Sequence, residues 1–445
     1  MRLFRISSSY FVGGIVLDSE EDVTKIAPII KYMISWNLTQ IKNYCYKKEW
    51  KIEEIKIRRK KKVLKEEKFV LIVDGNLFAR KMFYKFKKLR TTIKPSDLNK
   101  ISPKLNEKYK KEKRIKVESK KKINHSNGEI IKIPPGPIDD KLRRILSSNK
   151  EVTIPTGVTY GMLRTLIRLY RDYPIGETIF CFDPMTKDRG NQKRFEIYPE
   201  YKISRSKEKE TDKKKTENEE FYEQLNIVHY LLYVLGIKQT WVKTFEADDL
   251  MHYFSLEYSK KNKRSLLLTN DHDLLQALSG NVSLLKLGNK TGKEIYSLQD
   301  FVSEFKISPK QYTDVMTLCG CKGDDVPGLS SVSEDIAMEL IREFKDIQNL
   351  LGTFKKKKSE IPPKAFKSIK EDSARGFRQI KKTRKLIKLY GKNPILKKEF
   401  LTKKRKYEDK SKALRNTLFF LKLLKFKSML GEKEQASIKK IIDSQ

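Results

Sequence analysis

Apolar residues in this chain fall either into short unbroken runs or into stretches with helical spacing. Three runs, 69–73 (FVLIV), 178–182 (TIFCF) and 265–269 (SLLLT), are each followed at once by an acid or an Asn-Asp pair: Asp74, Asp183 and Asn270-Asp271. Runs of this length read as strands buried on both faces, each delivering a polar residue at its carboxyl end. A fourth run lies at 281–287 (NVSLLKL). Between the runs, 156–170 and 216–235 repeat apolar residues at helical spacing, with Phe221, Leu225, Val228, Leu232 and Leu235 on one stripe of the second. Strands alternating with helices predict an α/β fold: a largely parallel central sheet with helices on both faces. Beyond 308 the pattern is helical to the end, interrupted at Lys355–Lys358 and at Pro362-Pro363.

Residues 1–68 form a separate small module in this reading, with a strand at 10–17, a helix at 26–45 and a charged tail from 52 to 64. Nothing in its sequence indicates a role. Residues 87–150 are Lys-rich and poor in periodicity, and Pro134-Pro135-Gly136-Pro137 stands near their end. They read as a long, largely disordered insertion into a core spanning 69–310.

Charge sharpens this division. Among 445 residues, 97 Lys and Arg face 57 Asp and Glu, a net +40. Residues 351–445 hold 30 basic and 9 acidic residues, and 87–122 hold 15 and 4, whereas 155–350 hold 28 and 30. A near-neutral body with cationic appendages suits a polyanionic partner, because each phosphate neutralised by Lys or Arg releases counterions. The basic helical region 351–445 is therefore expected to grip nucleic acid. Four cysteines are too few for a disulfide scaffold, and no run of 18 apolar residues is present. A cytoplasmic protein without secretion signal or membrane partner is expected.

The acids of the middle region carry the chemistry. Asp74 and Asp183 follow strands, Glu246-Ala-Asp248-Asp249 opens a helix, Asp271 and Asp273 follow the third strand, and Asp324-Asp325 lie in a Gly-Asp-Asp-Val-Pro-Gly turn. One acid at a strand end is usually a helix cap, and an acidic first helical turn suits the helix dipole. Eight acids on one sheet edge would repel each other unless cations neutralise them. Hard divalent ions with oxygen ligands answer that need, and two such ions serve phosphoryl transfer.

Six motifs in order, LIVDGN (71–76), FCFD (180–183), KRFEIYPEYKISR (193–205), FEADD (245–249), LTNDHDLLQ (268–276) and LCGCKGDDVPG (318–328), resemble the 5′-nuclease (flap endonuclease) superfamily, in its phage-type and polymerase-associated 5′–3′ exonuclease branch. The resemblance implies a first metal cluster of Asp74, Asp183, Glu246, Asp248 and Asp249, and a second of Asp271, Asp273 and Asp324. It implies that Lys202 and Arg205, at the base of a helical gateway, contact the scissile phosphate. Arg194 would bind a neighbouring phosphate, and either Arg80 or Lys81 would be the arginine-type contact after the first strand. It further implies a helix–hairpin–helix subdomain at 311–350, two Mg²⁺ ions with Mn²⁺ able to substitute, and a monomer acting on DNA with a single-stranded 5′ end or flap. RNA–DNA hybrids would be a second substrate and a replication polymerase a candidate partner. Hydrolysis would proceed by in-line attack of water, without a covalent protein intermediate.

Four positions, in two places, also depart from the family pattern. Cys321 replaces a second-site carboxylate, and a neutral thiol is a poor ligand for a hard cation. In the hairpin, Ser331, Ser333 and Asp335 stand where the family has two glycines and a lysine. Two rivals share the acidic sheet edge: a PIN-type ribonuclease, and a nucleic-acid-binding protein with an impaired site. The gateway motif and the GDDVPG turn favour the 5′ nuclease over both.

Overall fold

A computed structural model of the chain describes residues 2–8, 12–17, 23–26, 28–34, 36–54, 68–94, 96–97, 150–184, 193–204, 212–286, 294–356, 361–393, 396 and 410–445. The chain divides into two compact units, Met1–Glu66 and Glu67–Gln445.

The first unit is a four-stranded antiparallel sheet in the order β3-β2-β1-β4. Its strands are β1 (Arg2–Ser7), β2 (Val12–Leu17), β3 (Val23–Ile26) and β4 (Lys51–Glu54). Helix α1 (Leu38–Lys47) covers it, capped by Asn37, whose side chain accepts from Gln40 N while Gln40 answers at Asn37 N. The expected single helix over 26–45 is broken: Val23–Ile26 pairs with β2, and a 3₁₀ segment, Pro28–Met33, precedes α1. Pro28 has no N–H for a ladder or an interior helical turn, which favours the break there. The charged tail expected beyond 54 lies outside the described residues.

The second unit is built on a six-stranded sheet in the order β12-β11-β10-β5-β8-β9. Strands β5 (Phe69–Asp74), β8 (Ile175–Cys181), β9 (Lys238–Thr240), β10 (Ser265–Leu268) and β11 (Val282–Leu285) run parallel. Only β12 (Ile295–Tyr296), at the edge, is antiparallel. Val70, Leu71, Ile72 and Val73 are all buried, as a central strand covered on both faces requires.

One face of the sheet is covered by α2 (Gly75–Lys85), α3 (Gly157–Asp172) and α5 (Asp212–Val234). The other carries the short α4 (Lys193–Ile197), α6 (Ala247–Ser259), α7 (Leu298–Phe305), α8 (Pro309–Cys319), α9 (Glu334–Phe344) and α10 (Ile347–Lys356). The expected α/β class, with a mostly parallel sheet between helical layers, is the observed one. No helix among the described residues is long and apolar enough to cross a membrane.

Two sequence expectations change. Arg90–Ile93 falls inside the segment read as insertion, yet it is strand β6, paired antiparallel with β7 (Val152–Pro155). The remainder of that segment, from 98 to 149, lies outside the described residues. The basic region 351–445 also divides in two. Helices α11 (Pro363–Ala374) and α12 (Arg378–Ile387) join the α8–α9 layer, while α13 (Lys410–Leu423) and α14 (Glu432–Ser444) return to the opposite face. There Ala413, Phe420, Leu421, Leu424, Ile438 and Ile441 are buried in the main core. Thr91 Oγ1 donates to the Leu424 carbonyl at 3.0 Å, and Lys425 pairs with Asp97 at 2.8 Å. The last 36 residues are therefore part of the α/β body.

Candidate active site

The parallel strands end together, so residues at their carboxyl ends share one edge of the sheet. Asp74 closes β5 and caps α2, with Leu77 N donating to its Oδ1 at 2.9 Å. The next residue, Gly75, packs so tightly on Phe182 that a Cβ would lie 2.3 Å from the ring, which holds the β5 and β8 termini side by side. Asp183, two residues past β8, accepts from Ala247 N at 2.9 Å and so ties that strand to the start of α6. Asp271 follows β10 and caps a short 3₁₀ turn by accepting from Asp273 N at 2.9 Å.

A second group of elements brings Asp324 to this edge. A two-residue ribbon pairs β13 (Gly320–Cys321) with β14 (Val326–Pro327). Gly320 has φ +75°, and a Cβ there would lie 2.3 Å from Gly328 N, so glycine is required for the closure. The turn at 198–204 is stitched to the ribbon: Lys202 N donates to the Asp324 carbonyl at 2.9 Å, and Ser204 N and Oγ donate to Asp325 Oδ2. Lys202 and Asp325 both occupy the left-handed region, at φ 55°. Such geometry in non-glycine residues costs of order 1–2 kcal/mol each and persists where surrounding contacts impose it.

Two kinds of carboxylate result. Asp74, Asp248 and Asp273 are pushed up by burial first and by neighbouring carboxylates second. Asp74 rises to about 8, with Asp183 and Asp271 adding to burial, and Asp273 to about 7, with Asp271 and Asp324 adding. Asp248 is held well above the carboxylate range by burial and by Asp271, Asp74, Asp273 and Glu246. Glu246 behaves oppositely. Burial would raise it, but Lys202 and Arg194 override that and hold it down at about 2.

The partners of Glu246 are specific. Lys202 Nζ donates to Glu246 Oε1 at 2.8 Å and lies 3.5 Å from Asp324 Oδ2. Tyr201 Oη sits 2.9 Å from Glu246 Oε2 and 3.0 Å from Asp324 Oδ2. Its single proton can serve only one acid at a time. Lys202 and Tyr201 thus join the two expected groups of acids.

Asp249 stands apart. It is fully buried and receives a fork from Arg194, Nη1 to Oδ2 at 2.7 Å and Nη2 to Oδ1 at 3.0 Å. Arg194 also donates from Nη1 to Glu246 Oε2 at 3.2 Å and from Nε to the Leu386 carbonyl at 2.9 Å. Tyr390 N donates to Asp249 Oδ1 at 2.8 Å. At 5% exposure, Arg194 faces carboxylates and a carbonyl rather than a surface where a phosphate could reach it. The expected phosphate contact and the expected ligand are therefore paired with each other.

Arg80 and Lys81 separate cleanly. Arg80 lies 3.6 Å over the Phe221 ring and donates to Asn218 Oδ1 at 3.1 Å, against α5. Lys81 reaches the Asn270 side-chain oxygen at 3.3 Å, with that amide turned so that its nitrogen donates to the Thr269 carbonyl. It is Lys81 that stands beside the acidic edge. Arg205 lies outside the described residues, and His272 is exposed. Cys321 is raised to about 11 by burial and then by Asp273 and Asp324, so its thiol stays neutral beside those acids. In the hairpin, Ser331 adopts φ 59° and Ser333 caps α9, accepting from Ile336 N.

Among the described residues, no three His, Cys, Asp or Glu side chains stand as a ready-made cage for an ion. The donor set nevertheless fits hard divalent cations: it is all oxygen, and its members raise each other's affinity for positive charge. Sequence reasoning identified most of these acids. It named Asn270 at the end of the third strand without giving it a role, and it missed the Tyr390 amide, which no local signal marks.

Fold and site define an α/β protein with an acidic, cation-seeking edge at the carboxyl ends of its strands. The family of 5′-3′ exonuclease N-terminal resolvase-like domains matches residues 142–306. The chain is 29% identical over 236 residues to the 5′-3′ exonuclease of Aquifex aeolicus, covering 53% of this chain and 72% of that one. It is 30% identical over 200 residues to DNA polymerase I of Mycobacterium bovis, covering 44% of this chain and 21% of the polymerase. The T5 5′-exonuclease solved with divalent metal ions (zinc) aligns over 84% of this chain and 98% of its own, at 16% identity and a TM-score of 0.48. The chain is therefore similar to 5′-nucleases over the part that carries the acidic edge, and nuclease function is what these relatives support.

Proposed function

We propose that the protein is a divalent-metal-dependent 5′–3′ exonuclease and flap endonuclease acting on DNA with a single-stranded 5′ end. The observation that carries this is the convergence of Asp74, Asp183, Asp248, Asp271 and Asp273 at the carboxyl edge of the sheet, where burial and neighbouring carboxylates push Asp74, Asp248 and Asp273 up. In this reading Asp74, Asp183, Glu246, Asp248, Asp271, Asp273 and Asp324 would hold the ions, with Mg²⁺ the expected species. Bound cations would supply charge neutralisation at the scissile phosphate and activation of an attacking water.

The remaining roles belong to this chain's own groups. Lys202, now on Glu246 and Asp324, is positioned to turn toward a phosphate that enters between them. Lys81 adds positive charge beside Asn270. Arg194 and Asp249 hold the first turn of α6 in place from behind. RNA in hybrids would follow the same path. A replication polymerase remains a fitting partner by analogy with relatives that carry one in the same chain.

The test is a 5′-labelled flap duplex and a matched RNA single strand, each incubated with Mg²⁺ and with EDTA. DNA flap cleavage that EDTA stops is the expected result. Cleavage of RNA alone would favour a PIN-type ribonuclease, and binding without cleavage an impaired site. Asp248→Asn should lower the cleavage rate at least about 10³-fold, since ion-held charge supplies several kcal/mol of the barrier reduction. Wild-type cleavage by this variant would remove Asp248 from the site.

A further inference from the structure

The Met1–Glu66 unit carries a surface that the nuclease chemistry does not use. Its core is small and apolar: Phe4, Ile6, Ile15, Leu17, Ile30, Met33, Leu38, Ile41 and Cys45. Trp36, Tyr44 and Trp50, each half-buried, pack against it, and with the exposed Tyr32 they form four aromatic rings joined edge to face. Trp36 and Tyr44 are 5.2 Å apart, Tyr44 and Trp50 5.5 Å, Tyr32 and Tyr44 5.8 Å, and Tyr32 and Trp36 5.9 Å. Tyr32 is 49% exposed, and half of the large hydrophobic side chains exposed among the described residues lie between Ile29 and Tyr46.

Charge indicates what such a surface would meet. From 23 to 48 the chain has no Asp or Glu but five lysines. Lys47 and Lys48 follow Tyr44 by three and four residues, on its side of α1, and Lys31 adjoins Tyr32; all three are exposed. Exposed ring surface with ammonium groups beside it matches the two parts of a nucleotide chain, a flat π-face and a phosphate. The first carboxylates after α1 are Glu49 and Glu53, and Glu53 is paired with Lys51.

We propose that Tyr32, Trp36, Tyr44 and Trp50, with Lys31, Lys47 and Lys48, form a binding surface for single-stranded nucleic acid. Bases stack on the rings and the lysines contact the backbone. A protein partner would be expected to meet acids as well as lysines on a surface of this size, and here the acids are missing from Pro28–Met33 and α1. The surface would add a hold on single strands to the chain, independent of the acidic edge.

The test uses the full-length protein in EDTA, so that no strand is cut. The chain has three tryptophans, so Trp241→Phe leaves Trp36 and Trp50 as the only indole reporters. Titration with an oligo(dT) of about twenty nucleotides should quench their emission saturably. In that background Tyr32→Ala should weaken the quench-detected affinity at least about fivefold, the lower bound for one lost stacking contact. Lys47→Ala with Lys48→Ala should flatten the log–log salt dependence by about 0.7 for each lost phosphate contact. Cleavage of a one-nucleotide flap in Mg²⁺ should be unchanged in these variants. Should Trp241→Phe impair folding, photo-cross-linking of bromouracil-substituted strand to the unaltered chain should place adducts between residues 32 and 50. Absence of quenching, unchanged affinity in Tyr32→Ala, adducts only in residues 67–445, or a dimer that Tyr32→Ala dissociates would each overturn the proposal.

Discussion

Glu246 and Asp248 are two residues apart on one helical turn, yet their surroundings treat them in opposite ways. Glu246 faces Lys202, Arg194 and Tyr201 and is held at about 2. Asp248 faces Asp271, Asp74 and Asp273 and is held well above its ordinary value. One side of α6 is already neutralised by the protein's own cations; the other is left in a field that only added positive charge would relieve. Burial is common to both, so burial alone does not decide ionisation. The partner does. The contrast gives the acidic edge a fixed back wall and a responsive front.

Removing the guanidinium from the back wall should produce the largest change in stability. Arg194→Ala would leave Asp249, and in part Glu246, as buried charges without their partner, at a cost of about 3–5 kcal/mol. Chemical denaturation should show this as a fall in the midpoint. Arg194→Lys should recover part of it, because an ammonium keeps the charge but cannot fork both Asp249 oxygens. An Arg194→Ala protein as stable as wild type, but weakened in DNA binding, would return Arg194 to the phosphate-contact role expected from sequence.

How legible this was follows from the physics of each signal. Buried parallel strands write themselves as unbroken apolar runs, so β5, β8, β10 and β11 were visible, and with the first three the acids that follow them. The coupling of Asp249 to Arg194 was not, because it depends on burial and on the Leu386–Tyr390 backbone, more than a hundred residues away. Backbone donors have no sequence signature. The charge excess after 351 was equally visible and more misleading. Lysines on the outer faces of α13 and α14 conceal that Phe420, Leu421, Ile438 and Ile441 fill the core. Removing 410–445 should therefore unfold the α/β unit rather than merely weaken a grip on DNA, and circular dichroism of that truncation distinguishes the two.

The front should reveal itself through pH. The folded pKa values of Asp74 and Asp273, about 8 and about 7, lie above the ordinary 3.8, so the folded state binds protons more tightly there. Metal-free stability is then greatest at low pH for these groups and declines as pH rises from about 4 through 8. Glu246, held at about 2 against an ordinary 4.5, contributes stability present above about 4.5 and lost as pH falls toward 2. In EDTA the melting temperature should fall between pH 5.5 and 8.5, and divalent cation should flatten that fall. The difference between the two curves isolates the front acids from the titration of the rest of the chain. Parallel curves would mean that added cations do not reach these carboxylates.

The smallest effect concerns the one position where the front carries sulfur. Cys321 lies in the fields of Asp273 and Asp324, and with its pKa at about 11 it contributes no charge at neutral pH. Cys321→Asp would place a third carboxylate beside them. Without cations this should sharpen the repulsion and steepen the loss of stability with rising pH; with cations it should strengthen binding of a hard ion. The Mg²⁺ concentration for half-maximal cleavage should fall a few-fold, while the rate at saturating Mg²⁺ changes little. Cys321→Ser, which removes the thiol but adds no charge, should do neither. A Cys321→Asp protein with the wild-type Mg²⁺ titration and the wild-type pH slope in EDTA would place residue 321 outside the responsive front, and the contrast across α6 would then rest on Asp74, Asp248 and Asp273 alone.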